Sequence, residues 1–175
     1  MGGKNKMSEN NILGSIRDRT IIPVKVVVKN WGSEKWLANG NLYCGKELYL
    51  ERDFGCSMHC HHIKDETFYL ISGKALIEFE NESGGEQTSY LLLPQNTFLL
   101  KENGKLLDKP VDCGDSSLLV EPYRYHRFIG LKDSVILEIS THHEDRDSYR
   151  KSEKPSGRID LIKVIQEYKN FGGIK

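Results

Sequence analysis

The chain has 175 residues, and 25 Lys plus Arg balance 25 Asp plus Glu for a formal net charge of zero. That length suits one domain with a sizeable core. The charge balance argues against nucleic acid or an acidic membrane as partner, and no apolar run approaches the ~20 residues that span a bilayer.

Residues 1–19, rich in Asn, Lys, Ser and Gly, read as a flexible tail. The tail has no apolar stretch of a secretory leader, and Lys6 stands where a myristoylation signal needs Ser or Thr. Ile21 to Val28, rich in β-branched residues, reads as a first strand. Asn39-Gly40 is a hairpin turn between Trp36-Leu37 and Leu42-Tyr43. Strands are expected at Lys46 to Glu51, Met58 to His61, Thr67 to Ile71 and Ala75 to Glu80, with a turn at Ser83-Gly84-Gly85. Tyr90 to Leu93 is a further strand, and a less regular insertion is expected from Gln95 to Asp115, broken by Gly104 and Pro110. Leu118 to Val120, His126 to Ile129 and Val135 to Ser140 complete the series. Only Ile159 to Tyr168 has helical spacing, with Leu161, Ile162, Ile165 and Tyr168 on one face. Many short strands with regularly spaced turns predict an all-β, closed architecture with a short C-terminal helix. The expected organisation is a tail (1–19), a barrel (20–145) and a C-terminal extension carrying the helix (146–175). The four cysteines form no CxxC pair, so reduced thiols in a cytoplasmic protein are expected.

The segment from Gly55 to Glu66 concentrates the chemistry. It reads His59-x-His61, four residues, Glu66, six residues, Gly73. Alternate side chains of a strand share a face, so His59 and His61 point one way and Cys60 the other. The polar residues after His61 suit a turn, and Glu66 opens the next strand. Two imidazoles and a carboxylate from one hairpin make a borderline-metal site that lacks a ligand. The alternative is a polar hairpin whose histidines face solvent.

This pattern resembles the first conserved motif of the cupin superfamily, small jelly-roll barrels built as a double-stranded β-helix. Many cupins hold one divalent metal with three His and one Glu. The family has a Gly before the first His where this chain has Asp53, with Gly55 two residues on. Glu121-Pro122-Tyr123-Arg124-Tyr125-His126 resembles the second motif without its Gly and one residue short, which makes His126 the fourth ligand by resemblance. Trp31-Gly32-Ser33-Glu34 is similar to the opening segment of type II mannose-6-phosphate isomerase domains, in which Gln often stands at the place of His59. Leu137 to Thr141, followed by Glu144, Asp145, Arg150, Gly157 and Arg158, resembles a loosened form of their closing segment. The resemblance implies a carbohydrate-type ligand and a homodimer. It leaves open enzyme or binder, because cupins host both.

The implied centre is one divalent ion, Zn, Mn, Fe or Ni, on His59, His61, Glu66 and His126. An open Lewis-acid position beside a base supports aldose–ketose isomerisation of a sugar or sugar phosphate. Glu138 is the candidate base because it interrupts an apolar strand; the alternative is an outward-facing residue on an alternating strand. Lys64, in the hairpin turn, joins it as a catalytic candidate. Arg124, Arg127 and Tyr125 are candidate substrate contacts for a phosphate or a sugar ring. His62, His142 and His143 read as surface residues. Competing readings are a sugar-binding cupin without turnover and a metal-dependent oxygenase.

Overall fold

The computed structural model describes residues 22–169, apart from 82, 84 and 86. The expected tail 1–19 lies outside the described residues, as does Gly84 of the expected Ser83-Gly84-Gly85 turn. The strands are β1 (Lys25–Lys29), β2 (Gly32–Asn39), β3 (Cys44–Leu50), β4 (Phe54–Gly55), β5 (His59–Cys60), β6 (Glu66–Ser72), β7 (Ala75–Glu80) and β8 (Gln87–Leu93). They continue with β9 (Asn96–Glu102), β10 (Lys105–Asp112), β11 (Leu118–Val120), β12 (Tyr125–Gly130), β13 (Ser134–Ser140), β14 (Tyr149–Arg150) and β15 (Gly157–Arg158). A 3₁₀ turn (Asp145–Asp147) precedes β14, and helix α1 (Leu161–Glu167) follows β15. No helix among the described residues is long and apolar enough to cross a membrane.

The strands form two antiparallel sheets. One runs β1-β2-β3-β13-β6-β11, the other β10-β9-β8-β7-β12-β4-β15, with β5 paired to β12 and to β14. Strands β3 and β13 show why. Both alternate buried and more exposed positions, and they pair from Ser134↔Leu50 to Ser140↔Cys44 without a register shift. Their inward residues Leu48, Leu50 and Ile136 join Phe68 and Leu70 of β6 against Ile77, Phe79 and Phe128 of the other sheet. Burying each such side chain contributes about 1.5–3 kcal/mol. Further along the same inward face stand Lys46, Glu138 and Glu66, also buried. The interior is therefore apolar in one part and ionic in another.

The segment from 95 to 115, expected as a less regular insertion, forms the β9–β10 hairpin, with a register shift between Leu106 and Val111. Asn103 and Gly104 both take positive φ (52° and 76°), the turn that matches the twist of paired strands. Pro110 falls within the register shift of edge strand β10, where no ladder donor is needed. Gly73, at φ +95°, closes the β6–β7 hairpin; a Cβ there would sit 2.2 Å from the Asp133 carbonyl oxygen. Helix α1 is capped by Asp160, whose carboxylate accepts from the amides of Ile162 and Lys163. It packs Leu161, Val164, Ile165 and Tyr168 onto a second apolar cluster, while Ile162, expected on that face, is exposed. Strands β14 and β15, both beyond residue 145, are hydrogen-bonded to β5 and β4.

Candidate metal centre

Strand β5 supplies His59 and lies between β12 and β14, so its backbone is held on both edges. His59 pairs directly with His126 of β12, which brings the second motif beside the first. The loop from His62 to Lys64 is organised by Asp147. Its carboxylate accepts from the amides of His62 (2.9 Å), Ile63 (3.2 Å) and Lys64 (3.1 Å). Nothing in the hairpin's own sequence signals this anchor, which arrives from 83 to 85 residues downstream.

One ring nitrogen each of His59, His61 and His126 lies within 4.8 Å of the others. Each Nδ1 faces a backbone carbonyl: Ser57 for His59 (2.8 Å), Asp147 for His61, Arg124 for His126 (3.1 Å). A carbonyl can only accept, so each Nδ1 carries a proton, which leaves Nε2 as the nitrogen each ring can offer to an ion. Such outer contacts fix the tautomer and orientation of metal-binding imidazoles. Burial holds His59 well below its ordinary pKa, and the neighbouring His126 and His61 push it the same way. Burial also lowers His61, against the pull of Glu66.

Glu66 flanks this group rather than joining it on equal terms. Its Oε2 is 3.1 Å from His126 Nε2, and its Oε1 is 3.6 Å from His61 Nε2. Oε1 is also 2.5 Å from Lys64 Nζ. Burial alone would raise the Glu66 pKa; His126, Lys64 and His61 outweigh it and hold the carboxyl well below the usual range. Glu66 Oε2 and His126 Nε2 are both buried without a hydrogen-bond partner among the described residues. A bare nitrogen facing a carboxylate oxygen at that distance is repulsive, and a proton or a bound metal cation between the two atoms would relieve it. The three imidazoles and one carboxylate oxygen thus fit a borderline divalent ion.

Behind the centre runs a ladder of alternating charge across adjacent strands. Lys64, expected in a solvated turn, is buried, with Nζ 2.5 Å from both Glu66 and Glu138 Oε1. Burial alone would lower its pKa, but the two carboxylates outweigh this and raise it. Glu138 faces inward and is 3% exposed, which decides between its two expected orientations. Its Oε1 also accepts from Ser140 (3.0 Å) and lies 3.6 Å from Lys46. Lys46 in turn stands 3.8 Å from Glu34 and donates to His143 Nδ1 (3.1 Å). Sequence reasoning missed Lys46, because a lysine at an inward strand position defies the usual burial ranking. His143, expected at the surface, lines the same cavity.

The cavity holds about 200 Å³ and is lined by His59, His61, His126, Glu66, Lys64 and Glu138. The expected substrate contacts lie elsewhere. Tyr125 and Arg127 neighbour His126 in a strand, so alternation turns them to the other face; Arg127 pairs there with Glu78 (2.6 Å) and Tyr125 lies under Lys151. Arg124 precedes β12 and stacks on Phe79. Cys60 is buried on the face away from the cavity, and none of the four cysteines is disulfide-bonded. His62 is stacked between Tyr149 and Tyr123.

Asp53 stands where the first family motif carries a glycine, and Tyr123 lies in the turn of the second, which lacks its glycine. Asp53 takes φ 68° and Tyr123 φ 67°, the left-handed conformation that glycine would adopt freely. Tyr123 is held there by its amide donating to the His61 carbonyl (2.6 Å) and by the stack on His62.

No family model matches the sequence, and no curated protein matches it. Solved structures do. The capsular polysaccharide assembling protein CapF from Staphylococcus aureus superposes with a TM-score of 0.54 at 19% identity, over 74% of this chain and 33% of that one. KdgF from Halomonas sp. gives 0.50 at 15% identity, over 71% of this chain and 90% of KdgF. An oxalate decarboxylase variant from Bacillus subtilis gives 0.53 at 10% identity, over 73% of this chain and 30% of that one. This chain spans about a third of the length of CapF. All three neighbours have the cupin fold. With its two antiparallel sheets and a three-histidine group inside them, this chain has the jelly-roll fold of the cupins.

Proposed function

We propose that this chain is a metal-dependent enzyme of small polyhydroxy substrates, interconverting an aldose and its ketose. The observation that carries the reading is the buried pair Glu66 Oε2 and His126 Nε2, unsatisfied and 3.1 Å apart, beside two further Nε2 lone pairs in a cavity. His59, His61 and His126 would hold a divalent ion, with Glu66 through Oε2. Such an ion would supply Lewis acidity to a substrate carbonyl.

The chain's own residues complete the chemistry. Lys64 stays an ammonium between two carboxylates and offers hydrogen bonds to a substrate oxygen. Glu138 lines the cavity, and its contacts fall on Oε1. Its Oε2 is the oxygen left to take a proton from the carbon next to the carbonyl. Trp31 and Phe68 form apolar wall that limits water.

A sugar-binding barrel without turnover is the second reading. It is favoured by the tight contacts of Lys64 and Glu138 with each other, which occupy both groups. Solvent deuterium incorporation separates the two readings. The metal-loaded protein should incorporate deuterium next to the carbonyl of an aldose, and a chelator should stop it. Sugar binding without exchange in any pentose, hexose or hexose phosphate would establish the binder instead.

A further inference from the structure

We infer that Arg150 is the residue through which this cavity selects an anionic substrate, one carrying a carboxylate or a phosphate. The inference rests on the metal-dependent reading of the same cavity.

The first support is placement. Strand β14 pairs with β5 so that Arg150 lies directly opposite His59, and Tyr149 opposite Cys60. Directly opposed residues of an antiparallel pair share a face, with Cβ atoms about 4.5–5.5 Å apart. Arg150 therefore stands on the metal side of the sheet and lines the cavity. Tyr149, on the other face, is fixed by its stack on His62 at 3.6 Å and 8° between planes. The strand that presents Arg150 is thus held by backbone on one side and an aromatic stack on the other.

The second support is the pairing of charges. Lys29, Lys46 and Lys64 also line the cavity, and each is matched to a carboxylate: Lys29 to Glu34 (3.2 Å), Lys46 to Glu34 and Glu138, Lys64 to Glu66 and Glu138. The Arg150 side chain makes no hydrogen bond or ion pair among the described residues. It is exposed at the rim, where a charged substrate end can remain partly in water.

The third support is net charge. Four cations and four carboxylates line the cavity: Lys29, Lys46, Lys64 and Arg150 against Glu34, Glu66, Glu138 and Asp145. The lining is neutral, so a divalent ion would leave it doubly positive. A neutral sugar cannot compensate that charge, whereas an anion can. The volume of about 200 Å³ equals roughly six or seven waters, enough for a short chain reaching from the histidines to the rim. A guanidinium also matches the fork geometry of both carboxylate and phosphate.

The test is equilibrium binding to the full, Zn²⁺-loaded chain, read by calorimetry with D-ribose, D-ribonate and D-ribose 5-phosphate. The wild type should bind at least one of the two anions roughly 10-fold or more tightly than ribose. Arg150→Gln should abolish that preference while ribose binding, zinc content and circular dichroism stay unchanged. Arg150→Lys should restore part of it. The tighter of the two anions identifies the source of the charge. Equal binding of ribose and both anions, a preference that survives Arg150→Gln, or no binding of either anion overturns the inference. Failure of the isomerase reading is distinct: it would show as anion binding through Arg150 without deuterium exchange in ribose 5-phosphate.

Discussion

His126 Nε2 and Glu66 Oε2 face each other across 3.1 Å inside the barrel, both buried and neither hydrogen-bonded. A single divalent ion per chain would resolve that contact. Elemental analysis of protein purified without chelator should find it at one equivalent. The double substitution His59→Ala and His61→Ala should abolish binding, and full occupancy in that variant would refute the assignment.

Stability of the metal-free protein should depend on pH in a defined window. Burial keeps His59 and His61 below the ordinary imidazole value of 6.5, so the folded state excludes protons that the unfolded chain accepts. As pH falls below about 6.5, the unfolded state binds more protons and stability declines until the folded-state values are reached. Glu66, whose pKa is also depressed, adds its own loss only as pH falls below about 4.5. Chemical denaturation of chelated protein should therefore give a lower midpoint near pH 5 than near pH 7.5. The His59→Ala, His61→Ala variant should lose most of that difference.

Cys60→Ser should retain metal but unfold more easily, by about 1–3 kcal/mol, because it places a hydroxyl in a site 1% exposed. Metal loss with an intact fold would make Cys60 a ligand.

Asp147→Ala removes the acceptor of three loop amides while keeping the carbonyl that orients His61. Metal affinity should drop about 10–100-fold, as for other outer-shell partners. Stability should fall by roughly 1–3 kcal/mol, since the buried Lys64 amide and two part-buried amides are left unpaired. An unchanged affinity would show that β5 and β12 alone position the ligands.

Glu138→Gln tests the base. Deuterium exchange should fall by roughly 10²–10⁴-fold with metal content unchanged. Exchange at the wild-type rate removes Glu138 from the mechanism.

Much of the fold was legible because its strands alternate in polarity, and the paired histidines followed from the same alternation. The orientation of Glu138 was not legible. Val135, Leu137 and Ile139 are apolar yet face outward, so β13 gives no contrast between its faces. Lys46 escaped notice, and Lys64 was placed in a solvated turn, because only carboxylates brought in by the fold make their burial tolerable. Tyr125 and Arg127 could have been set aside from parity alone, being adjacent to His126. The Asn103-Gly104 turn was also present in the sequence, overshadowed by Gly104 and Pro110 read as breakers. Asp147 and Arg150 reach the site only through tertiary pairing, which no local pattern encodes.

The anchoring of His61 by Asp147 also bears on how the protein is made. The two residues are separated by 86 positions, so the histidine hairpin leaves the ribosome long before its anchor is synthesised. Strand β14, which closes the free edge of β5, comes later still. A metal ion meeting the nascent chain would find only a loose pair of imidazoles. The full site can assemble only after residues 147–150 have emerged, so an ion would be held tightly only from that point on.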